Sequence, residues 1–207
     1  MKLISIIIFL SIISSSIIAN QNNDSSTPET VTGSVAGSVS SKWIKIDSKV
    51  VVYIDSVEGD FKPNSIFPVI DQINRVYVPH LLPILKGTTV RFANSDSLDH
   101  NVFSPSKVKP FNIGTWGYGS HKDYTFDSIG TILLLCNIHH EMSAVILVLQ
   151  NPFFTKIDSL GTYKIEGLPE GDYTLKVYHE KWHEITKEVK IKAGKTVNLD
   201  IDMILAD

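Results

Sequence analysis

Residues 131–142 read TILLLCNIHHEM, an apolar run that ends in a cysteine, two histidines and a methionine. A short apolar run of this kind is typical of a buried β-strand that reaches the rim of a sheet. Cys136 is the one cysteine of the chain, so it has no intramolecular disulfide partner. A buried apolar thiol, an intermolecular disulfide, a reactive thiol and a metal ligand are the alternatives.

The spacing C-x-x-H-x-x-M brings three kinds of metal donor into one loop. Cys136 ends the strand, and His139 and Met142 follow before the apolar run AVILVL (144–149). A tight loop can return thiolate, imidazole and thioether to one centre. A second imidazole would complete the His₂Cys set with a weak axial Met that blue-copper electron-transfer sites use. His100, in NSDSLDHNVFS, offers that imidazole, because it also lies at a predicted strand end.

Neighbouring residues indicate how such a site would be held and which metal competes with copper. Asn101 is expected to hydrogen-bond across to the cysteine loop and hold both segments in place. Zinc also accepts Cys and His, but methionine is a poor zinc ligand, so zinc would need a carboxylate such as Glu141 or a water molecule. We expect His140 to be exposed, and His80 to be a structural histidine rather than a third imidazole of the site.

The rest of the chain predicts an all-β fold. Runs rich in Val, Ile, Tyr and Phe recur about every eight to twelve residues, an interval typical of β-sandwiches. The expected strands are VVVYI (50–54), INRVYV (73–78), TTVRFAN (88–94), KDYTF (122–126), TILLL (131–135), AVILVL (144–149) and DYTLKVY (172–178). The continuous apolar runs at 131–135 and 144–149 are expected to be buried on both faces.

Residues 1–19 predict an export signal. Lys2 is followed by the apolar stretch LISIIIFLSIISSSIIA, and Ala19 is a small residue at a suitable cleavage point. An uncleaved membrane anchor is the alternative, but this stretch is at the short limit for a span and contains several serines. We therefore expect a periplasmic or secreted protein, with a polar linker at 20–30 and no stable membrane span in the mature chain.

Two function classes are disfavoured by the sequence. The chain has 19 Lys and Arg against 22 Asp and Glu, a formal net charge of −3, and no basic cluster, so nucleic acid is not expected as a partner. HEKWH (179–183) matches the H-E-x-x-H signature of zinc proteases. Predicted strands on both sides leave no room for the helix that this signature needs, so we predict a surface loop in which Trp182 covers the edge of a sandwich.

DHNVFS (99–104), followed by YTFDSIGTILLLCNIHHEMSAVILV (124–148), resembles the cupredoxins, the plastocyanin- and amicyanin-like blue copper proteins. The resemblance covers roughly residues 66–150. It implies a Greek-key β-sandwich in which electrons pass near the exposed edge of the loop imidazole. The ligands that it implies for a single type 1 copper ion are His100, Cys136, His139 and Met142.

The segment that follows, residues 153–203, looks like a carboxypeptidase-regulatory-like or transthyretin-like domain, with the turn LPEGDY (168–173) and the final AGKT (193–196). The opening strands of such a domain occur near the N-terminus instead. We therefore predict that residues 31–57 and 152–205 form one small β-sandwich, with the cupredoxin domain inserted between its strands. A tandem order is the alternative. Chains that combine these two domains resemble proteins labelled methylamine-utilisation-like.

Together these patterns predict an exported carrier of single electrons between redox proteins, such as a cytochrome and a dehydrogenase. A stand-alone enzyme is not expected, because a type 1 site has four protein ligands, whereas catalytic metals keep an open position. A copper delivery or sensing module, and an adhesion protein with an incidental metal site, are the alternatives.

Overall fold

The computed structural model describes residues 31–41 and 49–203. Every regular element in these residues is a β-strand, which confirms the predicted all-β fold class. The predicted export signal at 1–19 and linker at 20–30 lie outside the described residues. Among residues 31–41 and 49–203, no helix has the length and apolar character needed to cross a membrane.

In chain order, the strands are β1 (Gly33–Ser40), β2 (Val51–Ile54), β3 (Val69–Ile73), β4 (Val76–Val78), β5 (Leu81–Leu85), β6 (Thr88–Asn94), β7 (His100–Ser104), β8 (Phe111–Trp116), β9 (His121–Phe126), β10 (Gly130–Leu135), β11 (Ser143–Leu149), β12 (Phe154–Lys156), β13 (Thr162–Leu168), β14 (Gly171–Tyr178), β15 (Ile185–Ile191), β16 (Thr196–Asn198) and β17 (Ile201–Asp202).

These strands form four sheets, which make two β-sandwiches. The central sandwich consists of the sheets β4-β3-β6-β9 and β5-β11-β10-β7-β8. The terminal sandwich consists of the sheet β12-β2-β14-β15 and the sheet β13-β1-β16, with β17 also paired to β1. Most pairs are antiparallel, but β3 with β6 and β5 with β11 are parallel in the central sandwich, which is therefore not a simple meander. In the terminal sandwich β1 is parallel to β16 and to β17.

Strands from both ends of the chain share the sheets of the terminal sandwich. β1 pairs with β13 and β16, and β2 pairs with β12 and β14. This is the strand sharing that a discontinuous domain requires, although the boundaries 31–57, 66–150 and 152–205 stay predictions. Gly37 shows why β1 is glycine-rich, because a Cβ at this position would collide with the carbonyl oxygen of Leu199.

Strand β11 lies between the two sandwiches. Ala144, Ile146 and Val148 point into the core of the central sandwich. The alternate residues Val145, Leu147 and Leu149 pack against Val51 and Tyr53 of β2 in a separate apolar cluster. The prediction that 144–149 is buried on both faces is therefore confirmed, and the reason is that each face of β11 meets a different sheet.

The same prediction is wrong for residues 131–135. Ile132 and Leu134 are fully buried in the central core, but Thr131 is exposed and Leu133 is 37% exposed. The outer face of β10 lines an open cleft between the sandwiches instead of a second core. Apolar composition alone did not distinguish the two faces of this strand.

The expected single strand at 73–78 is also wrong. Ile73 ends β3 and pairs with Val76, which begins β4. The two residues between them, Asn74 and Arg75, have φ values of 51° and 60°. Two-residue hairpin turns need this left-handed conformation, which asparagine tolerates better than most residues. The segment is therefore a tight hairpin, the β3–β4 turn.

Candidate metal centre

Three predicted donors meet at one end of the central sandwich. His100 begins β7, Cys136 follows directly after β10, and His139 lies in the loop of residues 136–142, called the donor loop from this point on. Leu135, the last residue of β10, pairs with Phe103 of β7 in an antiparallel arrangement, so the chain after Leu135 runs towards the start of β7. The donor atoms of His100, Cys136 and His139 all lie within 4.8 Å of one another.

Asp96 fixes the tautomer of His100. The Nε2 atom of His100 donates to the carboxylate of Asp96 over 2.7 Å, and the backbone N–H groups of Asn74 and Arg75 donate to the same carboxylate. Burial raises the pKa of Asp96, but the three hydrogen bonds outweigh that effect and leave its pKa below the usual value. A carboxylate only accepts hydrogen bonds, so Nε2 carries a proton, and in the neutral ring the lone pair is then on Nδ1.

The two histidine rings face each other through their Nδ1 atoms. The Nδ1 atoms of His100 and His139 are 3.0 Å apart, and the ring planes are inclined at 59°. A proton or a cation must lie between two such nitrogens, because two facing lone pairs repel each other. Nitrogens bound to one metal ion at about 2.0 Å each would lie roughly 3 Å apart. The spacing therefore fits a shared metal ion.

Asn101 joins the segments that carry the donors. Its backbone N–H donates to Sγ of Cys136 over 3.5 Å, and its side-chain oxygen accepts from the backbone N–H of Asn137 over 3.4 Å. Its Nδ2 donates to Asn112 Oδ1 and to the carbonyl oxygen of Gly114. Asn101 is 3% exposed, and its bond to the sulfur of Cys136 is buried. The predicted contact of Asn101 with the donor loop is confirmed.

Tyr77 is a supporting residue that the sequence did not reveal. Its hydroxyl lies 2.8 Å from the carbonyl oxygen of Asn101 and 3.1 Å from that of Leu135. These carbonyls belong to the residue after His100 and the residue before Cys136. Burial, and to a lesser extent the nearby Cys136, raise the pKa of Tyr77 far above its usual value, so the hydroxyl keeps its proton and donates it. A buried tyrosine normally has such a partner, but no sequence signal indicates which one.

Met142 and Glu141 close the donor loop in different ways. Met142 is fully buried in the same core as Cys136, and its backbone N–H donates to the carbonyl oxygen of His139 over 3.0 Å. Glu141 is exposed and forms an ion pair with Arg75 at 3.6 Å. Within residues 31–41 and 49–203, no carboxylate joins the group of His100, Cys136 and His139. That Met142 binds the metal stays a prediction.

The remaining histidines lie outside this group. His140 is exposed, as predicted. His80 makes two hydrogen bonds elsewhere, as expected of a structural histidine. Residues 179–183 form a turn between β14 and β15 and not a helix, and Trp182 is buried in the core of the terminal sandwich. The HEKWH segment therefore lacks the helical arrangement of a zinc-protease site.

One family model matches part of the chain. It is the model of polysaccharide lyase family 4, domain II, and it matches residues 144–199, which run from β11 to just past β16. This stretch is about a quarter of the chain. None of the curated proteins matches the chain.

Solved copper proteins are similar to part of the chain, at TM-scores of 0.40 or less. A copper-containing nitrite reductase from Thermus scotoductus SA-01 has 23% identity and a TM-score of 0.40, over 46% of this chain and 25% of its own. An oxidized amicyanin mutant has 24% identity and a TM-score of 0.38, over 40% of this chain and 81% of its own. A purple cupredoxin from Nitrosopumilus maritimus has 25% identity and a TM-score of 0.37, over 39% of this chain and 98% of its own.

The chain thus spans only a quarter of the length of the nitrite reductase. Similarities at these TM-scores do not decide what the chain binds or does.

Proposed function

We propose that His100, Cys136, His139 and Met142 hold one copper ion in a type 1 site, and that the protein carries single electrons. The observation that carries this proposal is the convergence of two imidazoles and the chain's one thiol within 4.8 Å. The position of Nδ1 of His100 opposite Nδ1 of His139 adds to it, because two neutral rings can offer a lone pair to the same metal ion from these atoms.

The donor set favours copper over zinc. Thiolate and thioether sulfur stabilise Cu(I), and imidazole serves both Cu(I) and Cu(II). Zinc would want a carboxylate or a water molecule instead, but Glu141 is paired with Arg75 on the surface and Asp96 already binds His100. Copper bound at this site would supply one-electron oxidation and reduction.

The surrounding residues would keep the site in one arrangement. Asp96 holds the ring of His100, Asn101 donates to the sulfur of Cys136, and Tyr77 ties the two strands together behind them. His100, Cys136 and Met142 are buried, which excludes water from three of the four donors. A site that is already arranged needs little movement when its charge changes.

The exposed side of the donor loop offers a route for electrons. His139 is half-buried, whereas its neighbours Ile138 and His140 are exposed. A partner that contacts this edge would come close to an imidazole donor. We propose a redox protein, such as a cytochrome or a dehydrogenase, as that partner, and a periplasmic or secreted location because the sequence of residues 1–19 is typical of an export signal. We do not propose an enzyme, because four protein ligands would leave no position for a substrate.

The terminal sandwich would support the carrier. We propose that residues 31–57 and 152–205 form a carboxypeptidase-regulatory-like domain, as in methylamine-utilisation-like proteins. The pairing of β1 with β13, and of β2 with β14, supports this arrangement.

Addition of Cu(II) to the purified apo-protein tests the proposal. We expect one equivalent of bound copper and an intense blue thiolate-to-copper absorption band, followed by reversible one-electron reduction. Cys136→Ser should abolish the band, whereas Cu(II) binding at exposed histidines such as His140 would survive that change. A wild-type protein that stays colourless with bound Cu(II) would overturn the proposal. Bound copper without a reversible potential would favour a delivery or sensing module.

A further inference from the structure

The turn at residues 179–183 of the terminal sandwich reaches the central sandwich. The carboxylate of Glu180 accepts a hydrogen bond from Nε2 of His80 over 2.7 Å. His80 directly precedes β5 of the central sandwich. Its side chain is 29% exposed, and that of Glu180 is 23% exposed. Neither His80 nor the residues of the H-E-x-x-H motif in this turn belong to the donor group of His100, Cys136 and His139. The contact between His80 and Glu180 is therefore a separate feature of the molecule.

The other ring nitrogen of His80 continues this connection to the donor loop. Its Nδ1 lies 3.0 Å from the carbonyl oxygen of Ser143, the residue that follows Met142. The backbone carbonyl of His80 also accepts from the N–H of Val145 over 2.8 Å. Glu180, His80 and Ser143 thus form a continuous chain of hydrogen bonds from the terminal sandwich to the start of β11.

This series of hydrogen bonds requires a charged histidine. A carbonyl oxygen accepts hydrogen bonds only, and so does an ionised carboxylate. Nδ1 of His80 faces the carbonyl oxygen of Ser143, and Nε2 faces the carboxylate of Glu180. Both hydrogen bonds therefore form together only when both ring nitrogens carry a proton. The charged groups around it are Glu180, Lys49 and Lys181, which line the same cleft with Tyr178.

An apolar contact lies beside the charged pair. Leu81 and Val145 of the central sandwich pack with Val51, Tyr53 and Tyr178 of the terminal sandwich. An ion pair at the rim of such a contact is stronger than a fully exposed one, because less water competes for its hydrogen bonds. The two sandwiches therefore meet through both packing and a directed polar link at the base of the donor loop.

We infer that Glu180 and His80 are positioning residues, through which the terminal sandwich holds the Ser143 carbonyl and so places Met142 against the metal centre. The hydrogen-bonded link stands on its own geometry, whereas its effect on a bound metal rests on the proposed function. Without the link, the strand that follows Met142 would lose a constraint that lies one residue from the sulfur donor.

Three variants separate the parts of the link. His80→Asn keeps a donor near the position of Nδ1 and loses the reach to Glu180. His80→Gln keeps a donor near the position of Nε2 and loses the bond to Ser143. Glu180→Gln removes the charge from the turn. The matched control is Glu184→Gln, because Glu184 follows the same turn but binds Tyr53 and Lys176 of its own sandwich.

Hydrogen exchange in the copper-free full chain tests the link by itself. Glu180→Gln and both His80 variants should speed exchange of the amides at 180–182 and of Val145, whose N–H bonds to His80. Glu184→Gln should leave the Val145 amide as in wild type. Unchanged exchange at Val145 in all three test variants would overturn the link.

The copper-loaded chain tests the effect on the site. All three test variants should lose Cu(I) to a chelator about two- to tenfold faster, somewhat less than the usual loss for a direct partner of a ligand, and should shift the visible band. Glu184→Gln should do neither. If His80→Asn matches wild type, or if the variants lower only the melting temperature, the positioning role is wrong. A wild-type protein that binds no copper would overturn the proposed function, and with it the effect of Glu180 and His80 on the metal. The hydrogen-exchange data would still decide whether the link itself exists.

Discussion

Asp96 accepts a hydrogen bond from Nε2 of His100 over 2.7 Å, and the backbone N–H groups of Asn74 and Arg75 hold its carboxylate in place. The β3–β4 turn is thus connected to His100 of the candidate metal centre, from which it is separated in the sequence by the whole of β6. A histidine ligand commonly donates its second ring N–H to a carboxylate, which fixes its orientation and raises its basicity.

Asp96→Asn should weaken copper binding about 10- to 100-fold, the usual loss for a direct hydrogen-bond partner of a metal ligand. The asparagine amide removes the charge and can present a donor to Nε2, which would favour the wrong tautomer of His100. Competition with a chelator of known affinity measures this change. Asp127→Asn is the control, since Asp127 pairs with Lys109 on the surface. Equal affinities for wild type and Asp96→Asn would contradict the role given to Asp96.

Tyr77→Phe should lower the free energy of unfolding by about 1–1.5 kcal/mol, the usual value of one buried hydrogen bond, and should also shift the visible band. The shift is expected because the hydroxyl joins the strands that carry His100 and Cys136. Tyr163→Phe is the matched control, because the hydroxyl of Tyr163 also donates to a backbone carbonyl, that of Leu199, but in the terminal sandwich. Urea unfolding should give similar losses for both variants, and the control should leave the band in place.

Leu147→Ala should destabilise the protein by about 2–4 kcal/mol, because it removes a buried side chain between the two sandwiches. Leu133→Ala changes the same residue type on the neighbouring strand, but Leu133 is 37% exposed. This substitution should lower the free energy of unfolding by less than about 1 kcal/mol. Urea unfolding followed at several probes measures both. Equal losses would contradict the apolar contact assigned to β11.

The pair of His80 and Glu180 should lose its contribution to stability in acid. Burial raises the pKa of Glu180, but the hydrogen bond and charge of His80, with the charges of Lys49 and Lys181, lower its pKa overall. A carboxyl whose pKa is lowered in the folded state stabilises the protein above its unfolded pKa, and this contribution disappears as the pH falls through the folded value.

A double-mutant cycle with His80→Asn and Glu180→Gln measures that contribution. We expect a coupling energy of about 1 kcal/mol near pH 6, the upper end for partly exposed pairs, and almost none near pH 3. A coupling energy that stays constant between these pH values would show that the charge of Glu180 has no part in it.

The proximity of His100, Cys136 and His139 could be predicted from the sequence, because residue type and spacing indicated one donor group. That these residues and Met142 bind a metal stays a prediction. Cys136, His139 and Met142 are close in the chain, and His100 is marked by its place at the end of a strand. The contacts of Asp96 and Tyr77 were not predictable in this way, because they depend on a hairpin turn and on strand pairing across the sandwich. Asn74 was the one local sign of that turn, since asparagine tolerates a left-handed backbone.

Burial was harder to predict than strand position. The runs at 131–135 and 144–149 are similarly apolar, yet only β11 lies between two sheets, whereas the outer face of β10 meets a cleft. The link from Glu180 to His80 was equally hidden, because it joins positions one hundred residues apart in the chain.

X-ray diffraction from crystals of the copper-loaded protein, with anomalous data collected at the copper edge, tests the central claim most directly. We predict a single anomalous peak in contact with Nδ1 of His100, Nδ1 of His139 and Sγ of Cys136, with the sulfur of Met142 facing it. A peak at exposed histidines alone, with His100 still bound to His139 and no density at the sulfur of Cys136, would contradict the assignment of a copper centre.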